Sequence, residues 1–572
     1  MYIKSPYPDP PPLPEVNAHH IFFRRPDQET WPDFTLHINA LTKQRVTYRE
    51  FIKRVEDLAT ALATPTSEGG AALAGNDEVI GVMMENSSDY IALIHSCITL
   101  TVPLALISSY STPFELKHAL NLSKATSLVV DAKFLPIVLP AAQEAGIDPS
   151  KVYVGVGHAK GRRSIDDLVS SVRAQGSPFV GVKPAKKDTL AYLVFSSGTS
   201  GLPKAVMISH GNLIYSVSQA IVIATVSATV YTPPPPVNPE GLPVVLAFLP
   251  IHHTYGLHAY CFRAFLAQST FVIMNKWDAD LALSCIPEHK VSSISLIPSI
   301  VHQLVHHPRI AEVDLSSLNS LGSGAAYLPP ELGAKLSKLL PQDCQFYEGY
   351  GMSEATIAGM GQPQPGALGK LKRIPGSVGV LLPGMEGRIV REDGYEADYD
   401  EPGELWLRGR NVALGYYNNE KANRETFVKG WLRTGDKFTV DKEGNFWFAD
   451  RAKDTLKVSG AQVSPVEIED CILAHPDSLI IDVSVAGVSG GRTSDEKVPR
   501  AWIVLSGKGK ALGARAVIKA LSKWTEKSLS KYKHLRGGFE IVAEIPKSPT
   551  GKVLRRILQE KYEASISVSA KL

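Results

Sequence analysis

Apolar residues in the stretch 47–63, "TYREFIKRVEDLATALA", recur at helical spacing, whereas "DEVIGVMME" and "SLVVDA" are short, nearly unbroken apolar runs. The first pattern predicts an amphipathic helix; the other two predict buried strands. This alternation fills the front two thirds of the chain and predicts α/β layers. The longest apolar run, "YIALIHSCITLTVPLALI" at 90–107, is interrupted by His95, Ser96, Thr99, Thr101 and Pro103. It predicts a buried helix passing into a strand, with no membrane span. The proline-rich "TPPPPVNPEGLP" at 232–243 predicts a stiff surface loop.

Near Phe438 the texture changes. "FTVDKEGNFWFADR" holds two alternating runs around a polar turn containing Gly444, which predicts a hairpin. In "SPVEIEDCILAHP", Ser464 is placed as an N-cap, Pro465 at the first helical position and Glu467 as the closing member of a capping box. Ile468, Cys471, Ile472 and His475 mark one helical face, and "RAWIVL" and "FEIVAEI" predict further strands. The expected organisation is a large domain over residues 1–449 and a small α+β domain over 450–572, with the joint near 450–453.

Composition narrows the classes. Sixty basic and 57 acidic residues leave a net charge of +3, which gives no basic footprint for nucleic acid. Five scattered cysteines (97, 261, 285, 344 and 471) form no Cys-x-x-Cys pair, so neither a disulfide framework nor a zinc site is expected. The first twenty residues lack the charged-then-apolar layout of a secretory signal. The final Ala570-Lys571-Leu572 is a close variant of the Ser-Lys-Leu peroxisomal address, so an import receptor is an expected partner; without it the location would be cytoplasmic.

The stretch "FSSGTSGLPKAVMISH" at 195–210 carries the first candidate chemistry. It is expected to be a glycine-rich turn between the strand "TLAYLVF" and a helix with Leu213, Val217, Ala220 and Ile221 on one face. Backbone N–H groups in such a turn can cradle an anion. A Walker loop is excluded, because Leu202 and Pro203 precede Lys204 and Ala205 follows it.

Downstream come "LPIHHTYGLH", "GSGAAYL", "YEGYGMSEAT", "WLRTGD", "FADRAKDTLKVSGAQVSPVEIE" and "PKSPTGKVLRR", in that order. Together with the opening loop this series resembles the adenylate-forming superfamily, closest to 4-coumarate–CoA ligases and related acyl-CoA synthetases, over roughly residues 48–556. The resemblance implies layered α/β subdomains plus a β-barrel-like part, followed by a small mobile C-terminal domain. It implies ATP, Mg²⁺ and CoA as reactants or cofactors.

Residue by residue, it implies that Ser196, Ser197, Gly198, Thr199, Ser200, Gly201 and Lys204 embrace the ATP phosphates. Gly324, Ala325 and Ala326, with Gly349, Tyr350 and Gly351, form the adenine slot. Ser353 contacts phosphate and Glu354 holds Mg²⁺, while Asp436 and Arg451 bind ribose. His253, Tyr255, Gly324, Gly351, Ile357 and Ala358 line the acid pocket. Lys552 serves adenylation, Lys453 is the hinge, Lys457 and Gln462 serve thioester formation, and Ser459 and Gly460 stand where CoA is contacted.

The chemistry agrees with that assignment. A carboxylic acid is already ionised at pH 7, so its attack on phosphorus needs positioning and positive charge rather than a general base. His253 therefore reads as a gate or wall. A thiol with a pKa of about 8.5 supplies enough thiolate for the second step. Three departures stand out: Ala205 replaces glycine, Ser459 replaces lysine, and Thr356, Ile357 and Ala358 replace the Gly-Pro-Val-like run of 4-coumarate ligases.

The expected function is an acid–CoA ligase for an aryl or medium-chain acid, in peroxisomal or secondary metabolism. The alternatives are an adenylating enzyme that uses a carrier protein or oxygen as acceptor, and a non-catalytic adenylate-binding protein.

Overall fold

The computed structural model describes residues 2–73, 75–196, 203–451, 456–458, 461–489, 497–529, 531–548 and 551–569. The helix Tyr48–Ala63 forms as expected. Thr47 accepts from the Glu50 backbone N–H, and the Glu50 carboxylate accepts from that of Thr47. Its apolar stripe of Phe51, Val55, Leu58 and Leu62 is fully buried.

The neighbouring helix Ser88–Leu100 is buried at every position from Tyr90 onward and leads into the strand Leu104–Leu106. The polar residues in this run find internal partners. His95 Nε2 meets the Cys261 carbonyl at 2.6 Å, Ser96 Oγ donates to the Val55 carbonyl at 2.9 Å, and Thr99 Oγ1 donates to that of His95 at 2.8 Å. The long apolar run is thus a core helix in which most polar groups bond to protein, while Tyr90 Oη and His95 Nδ1 are buried without a partner among the described residues.

Two large sheets enclose this core. In the seven-stranded sheet, Ile80–Met83 lies between Leu104–Leu106 and Ser127–Val130, all parallel. In the nine-stranded sheet, Val244–Ala247, Thr270–Ile273, Ser293–Leu296, Ser320–Ser323 and Gln345–Tyr350 run parallel. The barrel-like part is a six-stranded antiparallel sheet that includes Gly403–Arg408, Trp431–Val440 and Phe446–Arg451. Its last two strands are the hairpin read around Gly444. The 232–243 segment carries no helix or strand, and Glu240 ties it down by accepting from the Thr35 backbone N–H at 3.0 Å and hydroxyl at 2.6 Å.

Three expectations are corrected. Lys204 does not stand on a turn into a helix. It opens a strand, Lys204–Ser209, that pairs antiparallel with Leu190–Ser196, and the helix begins only at His210. The run "KAVMIS" carries β-branched and apolar residues that bury a strand, and Ser209 supplies the N-cap by accepting from the Asn212 backbone. Within the helix His210–Ala228, Leu213 and Val217 are buried but Ile221 is 43% exposed, because the buried face lies over residues 210–217. Ser464 caps Pro465–Leu473, but Glu467 pairs with Lys533 instead of closing a capping box.

Among the described residues, His210–Ala228 is also the one helix long and apolar enough to cross a membrane, with half of that window buried inside the protein.

The small domain is built on the sheet Ile480–Ser489, Lys497–Leu505 and Phe539–Ile541. Ile468, Ile472, Val485, Ile503, Val517 and Leu521 form its core, which is separate from the cores of the large domain. Polar groups join the two domains: Tyr327 Oη donates to Asp470 Oδ2, and His302 Nε2 donates to the Ile481 carbonyl at 2.8 Å.

Candidate active site

Parallel strands deliver their succeeding loops to one side of a sheet, and open α/β sheets bind ligands at those carboxyl ends. Here Ser293–Leu296, Ser320–Ser323 and Gln345–Tyr350 point their ends the same way. The segments just beyond them, Pro298–Ser299, Gly324–Ala326 and Gly351–Glu354, line one cavity of about 890 Å³. Lys204, His253–Tyr255, Asp436 and the small-domain residues Lys547 and Lys552 complete its wall. Residues more than 300 positions apart are therefore brought together as the motifs imply.

Backbone geometry shapes the cavity floor. Ala325 sits at φ 69°, a left-handed conformation that costs a non-glycine residue about 1 kcal/mol. A Cβ on Gly351 would lie 1.9 Å from the Ile357 carbonyl oxygen, so only glycine lets these two segments touch. Ile357 and Ala358 both line the cavity, and the Gly359 backbone donates to the Tyr350 carbonyl at 3.0 Å.

Tyr350 Oη donates to Asp436 Oδ2 at 2.6 Å, and its ring packs edge-on against Phe438 at 4.8 Å. Burial and the Asp436 carboxylate keep this phenol protonated, well above its usual pKa. Asp436 is in register with Arg451 on the adjacent strand. Ser353 Oγ is 3.0 Å from Thr254 Oγ1. Glu354 is buried, and one of its oxygens accepts from Tyr416 Oη at 2.8 Å. The Lys204 ammonium lies 4.6 Å from the centre of the same Tyr416 ring, a cation–π contact that orients it. Ser196 lines the cavity and its hydroxyl is buried without a partner among the described residues.

His253 caps the short helix Thr254–Leu257, its Nδ1 accepting from the Tyr255 backbone at 3.4 Å. Burial, the nearby Lys552 ammonium and His252 push its pKa down to about 3, so it is neutral at physiological pH. Tyr255 spans Gly322 and Gly324, placing its hydroxyl 3.5 Å from the Gly322 carbonyl. Glu348 also lines the cavity, with its carboxyl raised by burial to about 7.

Of the expected site, residues 197–201, Lys453, Ser459, Gly460 and the terminal 570–572 lie outside the described residues. So do the side chains of Arg451, Lys457 and Gln462, whose backbones belong to strands. Sequence reasoning missed Thr254, Glu348 and Tyr416. Tyr416 lies 62 positions beyond Glu354, and no spacing announces the pair.

Comparisons with known proteins identify the family and the fold. Residues 25–417 match the AMP-binding enzyme family and residues 467–552 match the AMP-binding enzyme C-terminal domain. A probable 4-coumarate–CoA ligase of Dictyostelium discoideum is 30% identical over 98% of this chain and 97% of its own length. An acyl-CoA ligase of Alternaria alternata is 28% identical over 98% of both. The solved anthranilate–CoA ligase AuaEII, in complex with anthranoyl-AMP, superposes with a TM-score of 0.81 at 24% identity, covering 98% of this chain and 99% of that one. ATP-bound MatB from Rhodopseudomonas palustris superposes with a TM-score of 0.79 at 23% identity, covering 96% and 98%.

Fold and cavity are those of an adenylate-forming enzyme. The chain belongs to the AMP-binding enzyme family, as an AMP-forming acyl-CoA synthetase of the 4-coumarate–CoA ligase-like type.

Proposed function

We propose that this acid–CoA ligase activates an aryl or medium-chain carboxylic acid in the cavity between its domains, and that the charged residues of the cavity divide the work between nucleotide and acid. The observation carrying the assignment is the convergence of Lys204, Glu354, Asp436 and Lys552 on one cavity. Asp436, oriented by the Tyr350 hydroxyl, accepts from the ribose hydroxyls. Lys204 and the Ser196 hydroxyl meet the phosphates.

The buried Glu354 carboxylate faces the same space, and a hard divalent cation bound with phosphates needs only one or two protein carboxylates. The residues present therefore fit Mg²⁺, with Glu354 as its holder. When bound, the ion neutralises charge on the phosphate oxygens.

Adenylation joins two anions, so fixed positive charge governs it. Lys552 enters the cavity from the small domain, close enough to His253 to depress its pKa. There it stabilises the charge that builds on the α-phosphoryl oxygens as the acid's oxygen attacks and pyrophosphate leaves. The CoA thiolate then attacks the acyl carbon and AMP departs. Neutral His253 walls the acid pocket and takes no proton from an acid that is already ionised. The domain boundary is placed at 449/450, Lys453 at the hinge, and Lys457, Gln462, Ser459 and Gly460 on the face serving thioester formation. The terminal Ala570-Lys571-Leu572 supports a peroxisomal location.

The test is pyrophosphate release with ATP, Mg²⁺ and panels of aryl and aliphatic acids, with and without CoA. Release that CoA accelerates for one acid class is the expected result. Release indifferent to CoA points to another acceptor, and ATP binding without release overturns the catalytic assignment.

A further inference from the structure

Arg263 is a cation of the cavity wall to which the two steps above assign no role. The helix Thr254–Leu257 runs into a π-helical turn, His258–Phe262, and then into a tight turn that begins at Arg263. Single π turns inside helices often mark functional positions, because they redirect the side chains beyond them. Here Arg263 joins Tyr255 on the wall of the cavity. Among the described residues its side chain makes no hydrogen bond and no ion pair, in contrast to Arg433, Arg500 and Arg555, each of which meets a glutamate.

A guanidinium removed from bulk water is strongly disfavoured unless an anion meets it. Desolvation lowers the Arg263 pKa, and among the described residues the group that offsets this is the Tyr255 phenol, itself uncharged at pH 7. No carboxylate among the described residues acts on it. Its place relative to the reaction centre emerges from what each neighbour senses. His253 is depressed by Lys552 and not by Arg263, whereas His258 and Tyr255 sense Arg263 and not Lys552. Within the one cavity wall the two cations thus act on different neighbours, Lys552 on His253 and Arg263 on Tyr255 and His258. Tyr255 itself covers Gly322 and Gly324, and Tyr255 and Gly324 are among the residues that the resemblance assigns to the acid pocket.

We infer that Arg263 is a specificity-determining residue, and that the acid this enzyme activates carries a second anionic group, a carboxylate at the end remote from the one converted to the thioester. The inference rests on the acid–CoA ligase reading and names its substrate class. A planar guanidinium matches a carboxylate through two parallel hydrogen bonds, which selects an acid by charge as well as shape. A monoacid of equal length leaves this half-buried cation unpaired, and a site built to pair a polar group rejects the analogue lacking it. The first carboxylate reacts at the phosphate end; the second remains ionised and chemically unchanged. The product is a CoA monothioester with a free terminal carboxylate.

The experiment compares matched acids: hexanoate with adipate, octanoate with suberate, decanoate with sebacate, and cinnamate with 4-carboxycinnamate. Pyrophosphate release and CoA thioester formation are measured for the wild type, Arg263→Met and Arg263→Lys. The expected result is a wild-type kcat/KM at least about a hundredfold higher for one or more diacids than for the matched monoacid. In Arg263→Met that preference should collapse or invert, while Arg263→Lys should retain part of it. ATP binding measured on each variant reports folding, and the wild-type preference decides the question even if Arg263→Met fails to fold. Monoacids used as well as or better than their diacids by the wild type would overturn the inference and leave the ligase reading intact. Failure of every acid in both series would overturn the two together.

Discussion

Tyr350 donates its phenolic hydrogen to Asp436 across 2.6 Å and so links the last parallel strand of the nine-stranded sheet to the antiparallel sheet. The bond fixes which way the carboxylate faces before nucleotide arrives. Tyr350→Phe keeps the ring against Phe438 and removes only the hydroxyl, at an expected cost near 1 kcal/mol, about a fivefold rise in KM for ATP. Asp436→Ala also removes the acceptor proposed for the ribose hydroxyls, and the rise should exceed about thirtyfold. Initial rates of pyrophosphate release against ATP concentration check this; equal effects would mean that Asp436 does not touch nucleotide.

Glu354 and Tyr416 form a second such pair at 2.8 Å. Glu354→Gln preserves shape and removes the charge proposed to hold the cation, so half-maximal activity should require about tenfold more free Mg²⁺ or beyond. Tyr416→Phe should shift that requirement far less, because its ring still supports the Lys204 ammonium. Activity titrated with Mg²⁺ at fixed ATP distinguishes the two variants.

His253, with a pKa of about 3, is neutral throughout the working range. The wild-type pH–rate profile should therefore carry no limb belonging to it between pH 5 and 8. His253→Asn should act on the KM of the acid and leave the profile's shape unchanged. If the substitution abolishes an acidic limb near pH 6, His253 is a base after all.

Stability should fall on acidification. His19, His37, His95 and His253 titrate at about 3 in the folded chain, and His210 and His252 at about 4, all because burial opposes the cation. In the unfolded chain each titrates near 6.5. The unfolded state thus binds more protons below that value. The contribution of these histidines is complete above about pH 6.5 and is lost as the pH falls toward their folded values, at about 1.4 kcal/mol per pH unit for each. Asp131, raised to about 6, and Glu348 and Asp470, raised to about 7, oppose this, but they are fewer. Melting temperature should drop between pH 6.5 and 4.5; a flat or rising curve would contradict the neutral assignment.

Two cavity glycines should respond differently to alanine. At Gly351 the new methyl would meet backbone at 1.9 Å, and the variant should lose about 1–3 kcal/mol of stability together with activity. At Gly324 the nearest atom is 3.6 Å away, so Gly324→Ala should melt like the wild type and change binding of acid or nucleotide rather than stability. Thermal melts run beside the acid panel separate these cases.

Local signals explain what the sequence revealed. Thr47 and Glu50 form a reciprocal cap, and the strands around Gly444 alternate cleanly, so both elements were legible from neighbouring residues alone. The context of Lys204 was not, because glycine and serine loops precede strands and helices alike, and the pairing of Lys204–Ser209 with Leu190–Ser196 decides which. Glu467 had the spacing of a capping box, but Lys533, 66 positions away, draws its carboxylate off. The motif residues were readable one by one. Tyr416 beneath Lys204 and Arg263 beside Tyr255 were not, since each acquires meaning only from a neighbour that the fold supplies.

The seam between the domains is described by the bonds from Tyr327 to Asp470 and from His302 to the Ile481 carbonyl, while the apolar cores on either side stay separate. Bonds of this kind exchange readily with water, so opening such a joint replaces partners rather than stripping them away. The small domain is in that sense a boat at a mooring rather than a wall on its foundation. Its position can answer to what lies in the cavity, and the order of chemical events can be set by which cargo has come aboard.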